Sequence, residues 1–252
     1  MGFDPIDSAL GGFRPGEYII LAGRPSHGKS TVALRMLMNL AQRGVACFLA
    51  SLEMSGQQLI NQMVWLDSGV DSMRYLPTGD RQASALRATS EIANLPIRVD
   101  DISESLFRIA ATIRAESLAG RCQIAVIDYL QLVECPEGEN RQVTVSKISK
   151  TFKHLAKACN IPLVVLAQLN RQSEINNRAP ILSDLRESGS LEQDADAVAF
   201  VWRPNHKRPL EKGGDDGELR MVLAKNRMGP LGVETYMHKP SGQFELKSGI
   251  PF

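Results

Sequence analysis

Residues Gly23 to Ser30 read GRPSHGKS and match the pattern G-x-x-x-x-G-K-[ST] of a phosphate-binding loop. A short apolar run, Tyr18 to Ala22, precedes the loop, and a helical pattern from Lys29 to Gln42 follows it. Glycines at such a turn let backbone N–H groups and the start of the helix point at phosphate oxygens. Because the flanking elements fit as well as the motif, the sequence predicts a site for a nucleoside triphosphate.

Within this loop the lysine and the serine carry distinct chemistry. Lys29 is expected to reach the β- and γ-phosphates, and the hydroxyl of Ser30 is expected to bind Mg²⁺. The predicted cofactors are therefore Mg²⁺ and ATP, or another nucleoside triphosphate. His27 fits a variable loop position better than a catalytic one. The residues expected to bind the nucleotide are Gly23, Arg24, Pro25, Ser26, His27, Gly28, Lys29, Ser30 and Thr31.

Further apolar runs alternate with helical patterns along the chain. They are predicted as strands at residues 45–51, 97–99, 123–128, 162–167 and 197–202. Strands that alternate with helices indicate a mainly parallel sheet covered by helices on both faces. Two or three β-like runs from Glu218 to Leu246, joined by Gly-Pro and Ser-Gly turns, predict an antiparallel extension. The fold class is therefore α/β.

Polar side chains follow three of the predicted strands. Asp128 ends the run IAVID and fits the acidic group expected on the Mg²⁺ side of the phosphates. Glu53 follows the second strand and is the best candidate for the base that deprotonates the attacking water. Gln168 ends the fourth strand, where an amide could contact the γ-phosphate or that water. From position alone, a solvated glutamate and a satisfied polar strand end are equally good interpretations of Glu53 and Gln168.

Two cations, Lys225 and Arg227, stand two residues apart in the stretch LAKNRMGPL, between an apolar run and a Gly-Pro turn. Residues two apart in a strand point to the same side. No partner for this pair is visible inside the chain, and Lys29 is already expected to bind the phosphates. The pair is therefore expected to point outward.

Composition places the chain among soluble globular proteins, because its 252 residues are 43% hydrophobic and 23% charged. A net charge of +1 means that the chain as a whole is not strongly positive, so any site for nucleic acid must be a local patch of positive charge. The apolar runs are too short for a membrane span, and the N-terminus lacks the pattern of a secretory signal. Four cysteines without C-x-x-C spacing indicate reduced thiols in a cytoplasmic protein.

With these residues in place, the chain resembles the ATPase domain of DnaB-type replicative DNA helicases, which has the RecA-like fold. The resemblance covers nearly all residues, and IDYLQL, LRESGSLEQDAD and KNRMGP are the segments specific to this family. It implies a homohexameric ring that hydrolyses nucleoside triphosphates between subunits, moves on single-stranded DNA and unwinds duplex DNA in replication. It also implies a helicase loader or primase as partners and a cytoplasmic location, in a bacterium or in the host of a phage. The segments that carry the resemblance are GRPSHGKS, SLEMS, IAVIDYLQL, ENRQVTVSKISKTFKHLAKACNIPLVVLAQLNR, DLRESGSLEQDAD and AKNRMGP.

The resemblance also implies roles for single residues. Glu53 matches the family's catalytic glutamate, Asp128 its Walker B aspartate and Gln168 its sensor glutamine. Lys225 and Arg227 match the pair that a neighbouring subunit points at the γ-phosphate. The family's N-terminal helical domain, which contacts primase and organises the ring, has no counterpart in these residues. The residues that match a DNA-facing loop of the family are Arg186, Glu187 and Gly189.

A helix predicted over Val145 to Cys159 has an apolar face and an opposite face with Lys150, Lys153 and Lys157. This lysine face is most commonly just solvated. The alternative is that the loop before the helix, which carries Arg141 and Lys147, faces a DNA channel. Few aromatic residues lie near the candidate DNA loops, which favours a sequence-tolerant grip on the DNA backbone.

Two other functions fit parts of the sequence. A RecA-like recombination ATPase would share the fold, but LRESGSLEQDAD and KNRMGP argue against it. A nucleotide-gated ring scaffold with slow hydrolysis would not need the candidate base Glu53.

Overall fold

The computed structural model describes residues 1–70, 78–134, 140–175, 178–185, 189–206, 216–238 and 244–246. Within these ranges nine strands form one sheet, in the order β3-β2-β4-β5-β1-β6-β7-β8-β9. The first six strands in this order are parallel and the last three run antiparallel to their neighbours. This confirms the predicted α/β class and its antiparallel extension. The strands are β1 (Tyr18–Gly23), β2 (Cys47–Ser51), β3 (Ile97–Asp100), β4 (Ile124–Asp128), β5 (Leu163–Gln168), β6 (Ala197–Trp202), β7 (Glu218–Asn226), β8 (Gly232–His238) and β9 (Phe244–Leu246).

Helices cover both faces of this sheet. Because side chains alternate along a strand, β1 sends Ile19 and Leu21 to one core and Tyr18 and Ile20 to the other. The first core is closed by the helices α1 to α3, and the second by α5, α6 and α8. The helices are α1 (Asp4–Leu10), α2 (Lys29–Gln42), α3 (Gly56–Ser68), α4 (Asp80–Ala93), α5 (Leu106–Leu118), α6 (Arg141–Cys159), α7 (Gln172–Ile175) and α8 (Gly189–Asp194).

The predicted elements agree closely with the observed ones where the sequence pattern is strong. Helix α2 has the predicted bounds, as does β6, and the strands β1, β2, β4 and β5 differ from prediction by one or two residues at their ends. In α6 the predicted apolar face is confirmed, because Ile148, Phe152 and Leu155 are buried. None of the helices that the structure describes is both long enough and apolar enough to cross a membrane.

Candidate active site

The carboxyl ends of the parallel strands meet at one edge of the sheet and bring the predicted site residues together. Gly23, the last residue of β1, pairs with Gln168 on β5 and with Val201 on β6. On the far side of β5, Ser51 at the end of β2 pairs with Asp128 at the end of β4. The phosphate loop, the candidate base and the candidate Mg²⁺ ligands therefore share one edge, as predicted.

The phosphate loop wraps the start of α2. Gly28 is the residue before the helix and has a φ of 90°, a left-handed conformation that glycine adopts without strain. A Cβ atom there would also stand 3.3 Å from a methyl group of Leu219. The loop opens into a cleft of about 390 Å³. The cleft is lined by Arg24, Pro25, Ser26, Gly28, Lys29, Ser30, Thr31, Glu53, Trp65, Arg203, Leu219 and Phe244.

Not every predicted loop residue faces this cleft. His27 is buried and is not part of the lining; its Nδ1 atom accepts a hydrogen bond from the backbone N–H of Arg203 at 3.1 Å. The side chain of Arg24 donates to the carbonyl oxygen of Leu169 at 2.7 Å, which ties the phosphate loop to the residue after Gln168. Arg203 itself lines the cleft and was missed by sequence reasoning, because it follows a strand that carries no nucleotide motif.

Lys29 lines the cleft, and its mostly buried side chain forms a charged pair with the buried Asp128. Their Nζ and Oδ1 atoms are 4.0 Å apart, and the ammonium group also lies over the ring of Tyr129. Burial lowers the pKa of Lys29, although Asp128 and Glu53 oppose this shift. Burial likewise raises the pKa of Asp128, against the effects of Lys29 and a hydrogen bond with Ser30. For both groups the loss of water outweighs their mutual attraction.

The same pair suits a magnesium nucleotide. The Oδ1 atom of Asp128 is buried and accepts no hydrogen bond from the residues that the structure describes. A buried carboxylate oxygen without a donor, beside the Ser30 hydroxyl, offers the oxygen ligands that Mg²⁺ prefers. The residues present therefore fit the predicted metal.

Glu53 is exposed and lines the cleft, whereas Gln168 lies beside Gly23 and is not part of the lining. The backbone of Gln168 is held by a side chain that sequence reasoning did not single out. Gln131 accepts from the N–H of Gln168 at 3.0 Å and donates to its carbonyl oxygen at 3.2 Å. Gln131 belongs to the IDYLQL segment, and this segment was the available signal for it.

Lys225 and Arg227 lie at the opposite edge of the sheet. Strand β7 runs antiparallel to β6, so that Asn226 pairs with Ala197 at the start of β6, far from the end that adjoins Gly23. The expectation that this pair has no partner inside its own chain is wrong. Arg227 donates to the carbonyl oxygen of Gln193 at 2.7 Å and lies 3.3 Å from the carboxylate of Asp196.

Lys225 shares this environment. Its ammonium group donates to the carbonyl oxygens of Glu192 and Gln193 at the end of α8. The correction has a simple cause: the last carbonyl groups of a helix attract cations, and only the folded chain places α8 there. Burial and the neighbouring Arg227 lower the pKa of Lys225.

The predicted DNA-facing residues are only partly visible. Arg186 and Glu187 lie outside the described residues, and Gly189 is the first residue of α8. On α6, Lys150 and Lys157 are exposed, but Lys153 forms an ion pair with Asp196. A purely solvated lysine face is therefore wrong for Lys153.

Comparison with known proteins agrees with this architecture. The family model described as "DnaB-like helicase C terminal domain" matches residues 1–245. A replicative DNA helicase DnaB from Geobacillus stearothermophilus is 35% identical, in an alignment over 92% of this chain and 52% of the relative. Another from Mycoplasma genitalium is 36% identical, with the same two shares. The chain thus spans about half the length of the curated relatives that it matches.

Two solved structures are similar throughout the fold. One, described as an "ATPase Domain", superposes with a TM-score of 0.89 at 30% identity, over 96% of this chain and 89% of that one. A "DnaB-Like Replicative Helicase", described with "Its Interactions With Primase", gives a TM-score of 0.88 at 30% identity, over 96% of this chain and 60% of that one. Both likenesses extend over nearly the whole chain.

Proposed function

The chain belongs to the family of DnaB-like helicase C-terminal domains, and from this membership we propose that it is the ATP-driven motor of a replicative DNA helicase. The observation that carries the proposal is the division of cationic groups between two edges of one sheet. Lys29 lies with Asp128 and Glu53 at the carboxyl edge, whereas Arg227 lies at the other edge. This division suits a ring in which each active site is completed by the next subunit.

The strand order supports one orientation of the nucleotide. Glu53, Asp128 and Gln168 follow or end β2, β4 and β5, which all lie on one side of β1. Arg203, Leu219 and Phe244 belong to β6, β7 and β9 or follow them, on the other side. We therefore place the γ-phosphate toward Glu53, and the base and ribose toward Arg203 and Phe244. A planar guanidinium and an aromatic ring are suited to hold a flat base.

The residues of the chain then have separate tasks in hydrolysis. Lys29 stabilises negative charge on the β- and γ-phosphates, and Ser30 and Asp128 would hold the metal. Mg²⁺, when bound, neutralises charge on the phosphate oxygens. Glu53 orients a water molecule for in-line attack and accepts its proton. Gln168 contacts the γ-phosphate or the attacking water, so that hydrolysis changes the conformation of the residues that follow Gln168.

Arg227 of one subunit would complete the active site of its neighbour. An arginine supplied in this way stabilises the charge of the transition state and is worth roughly 10³ to 10⁵ in rate. An isolated subunit should therefore hydrolyse nucleotide very slowly. Lys225, two residues earlier on the same side, would add a second positive charge.

The DNA partner is proposed to be a single strand in the centre of a homohexameric ring. Because the net charge of one chain is only +1, the grip would come from a few cations per subunit, multiplied by the symmetry of the ring. We propose that the DNA-facing loop includes Arg186, Glu187 and Gly189. A helicase loader or primase would be a partner of the whole protein, and the cytoplasm its place of action.

The test is Glu53→Gln, which removes the base but keeps the shape of the side chain. We expect nucleotide binding to persist and DNA-stimulated turnover to fall by about 10² to 10⁴. The matched control is Glu91→Gln, on the exposed surface of α4, which should behave as the unmodified protein. Unchanged turnover in Glu53→Gln would remove this residue from the mechanism. Turnover by the unmodified protein that DNA does not change would instead favour a nucleotide-gated scaffold.

A further inference from the structure

His27 lies in the phosphate loop but turns away from the nucleotide cleft. The residue is 5% exposed, and its Nδ1 atom accepts a hydrogen bond from the backbone N–H of Arg203 at 3.1 Å. Arg203 directly follows β6 and lines the cleft. A residue of the phosphate loop is thus hydrogen-bonded to the backbone of a residue that lines the cleft from the end of another strand.

A second contact shows that His27 holds the whole turn after β6. The turn 203–206 is closed by a hydrogen bond from the N–H of His206 to the carbonyl oxygen of Arg203. The ring of His206 lies against that of His27, with their centres 5.3 Å apart and their planes inclined by 59°. Both ends of the turn therefore rest on one imidazole.

We propose that His27 is a positioning residue: it places Arg203 against the base and ribose of the nucleotide and does not bind phosphate itself. The inference rests on the nucleotide orientation proposed above. Residues of one loop would then have two roles: Lys29 and Ser30 bind the phosphates, whereas His27 affects binding of the nucleoside by positioning Arg203.

The chemistry of the bond explains why a histidine is suited to this place. A neutral imidazole whose Nδ1 accepts a hydrogen bond carries its proton on Nε2. An aliphatic side chain at position 27 would fill the space but leave the N–H of Arg203 without this acceptor. The turn could then shift, and the guanidinium with it. Asparagine could replace the acceptor, because its Oδ1 atom stands at the same number of bonds from the backbone as Nδ1 of histidine.

Binding of two ligands distinguishes positioning of Arg203 from a general effect on the phosphate loop. The ligands are AMP-PNP, a nonhydrolysable ATP analogue, and inorganic tripolyphosphate, which lacks the nucleoside; both are measured with Mg²⁺ by calorimetry. We expect His27→Leu to weaken AMP-PNP about tenfold more than tripolyphosphate, which corresponds to about 1.4 kcal/mol. His27→Asn should recover most of this loss, and His27→Gln, whose acceptor lies one bond farther out, should recover less.

A double-mutant cycle tests the route through Arg203. Arg203→Ala alone should weaken AMP-PNP selectively, and adding His27→Leu to it should weaken AMP-PNP by less than about twofold more. Equal losses for both ligands, or losses that are additive in the double variant, would overturn the proposal. If His27→Leu does not fold, as judged by its thermal transition without ligand, the AMP-PNP affinities of His27→Asn and His27→Gln are compared instead. Tighter binding by His27→Asn supports the proposal, and equal binding by the two variants overturns it. An unmodified protein that binds neither ligand would instead refute the proposed function itself.

Discussion

Arg227→Ala is expected to abolish nucleotide hydrolysis at the active site of the neighbouring subunit while leaving nucleotide affinity in its own subunit largely intact. The reason is the position of the residue in the sheet. Along β6, Ala197 pairs with Asn226 and Val201 pairs with Gly23. Ala197 and Val201 are four residues apart on β6, and at about 3.3 Å per residue this is about 13 Å along the strand. Arg227 lies beyond one end of this span and the phosphates beyond the other, so its side chain cannot reach its own nucleotide.

The magnitudes favour transfer of Arg227 from its internal contacts to a neighbour's phosphate. Its side chain is 49% exposed, and an exposed ion pair such as that with Asp196 is worth about 1 kcal/mol or less. A loss of about 10³ to 10⁵ in rate corresponds to about 4 to 7 kcal/mol of transition-state stabilisation. The internal contact can therefore be given up in the assembled ring.

The assay mixes two inactive variants. Arg227→Ala subunits keep an intact nucleotide site but donate no arginine, whereas Glu53→Gln subunits lack the base but still donate Arg227. In a one-to-one mixture about half of the sites are intact, and about half of these have a donating neighbour. Turnover should therefore recover to about a quarter of that of the unmodified protein.

The control is Arg114→Ala, which removes an exposed arginine of α5 and should neither lose activity nor change the outcome of mixing. A mixture as inactive as its two components, measured under conditions in which rings form, would refute catalysis between subunits. High turnover by pure Arg227→Ala would refute the role of this residue.

Three further predictions concern the metal, an ion pair and the core. Asp128→Asn should raise the Mg²⁺ concentration needed for half-maximal turnover, because the carboxylate oxygen that accepts no hydrogen bond loses its charge; a titration of turnover with Mg²⁺ measures this. Burial raises the pKa of Asp184, but the hydrogen bonds and charge of Arg178 and the N–H of Ile181 together bring that pKa below its ordinary value. The ionised pair therefore stabilises the fold above about pH 4, and this contribution is lost as the pH falls further. The difference in free energy of unfolding between the unmodified protein and Arg178→Met, measured by urea unfolding, should therefore become smaller in acid. Phe200→Ala, in the centre of β6 with its side chain fully buried, should lower the free energy of unfolding by about 3 to 5 kcal/mol in the same assay.

Local sequence determined the elements and the chemistry of the phosphate site. The run Tyr18–Gly23 is buried along its whole length and is followed by a loop with Gly28 and then a helix, so the sequence pattern fits a buried strand better than another element. The same holds for β4, whose apolar residues end at Asp128. Because parallel strands end at the same edge, their order along the chain sufficed to place Glu53, Asp128 and Gln168 near the loop.

Only the tertiary structure decided which groups meet across long stretches of sequence. The antiparallel direction of β7 carries Lys225 and Arg227 to the edge opposite their own phosphate loop, and α8 provides carbonyl groups that receive them. His27 finds its partner 176 residues away, at Arg203. Side-chain periodicity reports which face of an element is buried, but it carries no information on which distant element covers that face. Sequence therefore predicted the parts of the candidate nucleotide site, and the packing of β6, β7 and α8 against the central strands decided which side chains lie at the phosphate-loop edge and which lie at the opposite edge.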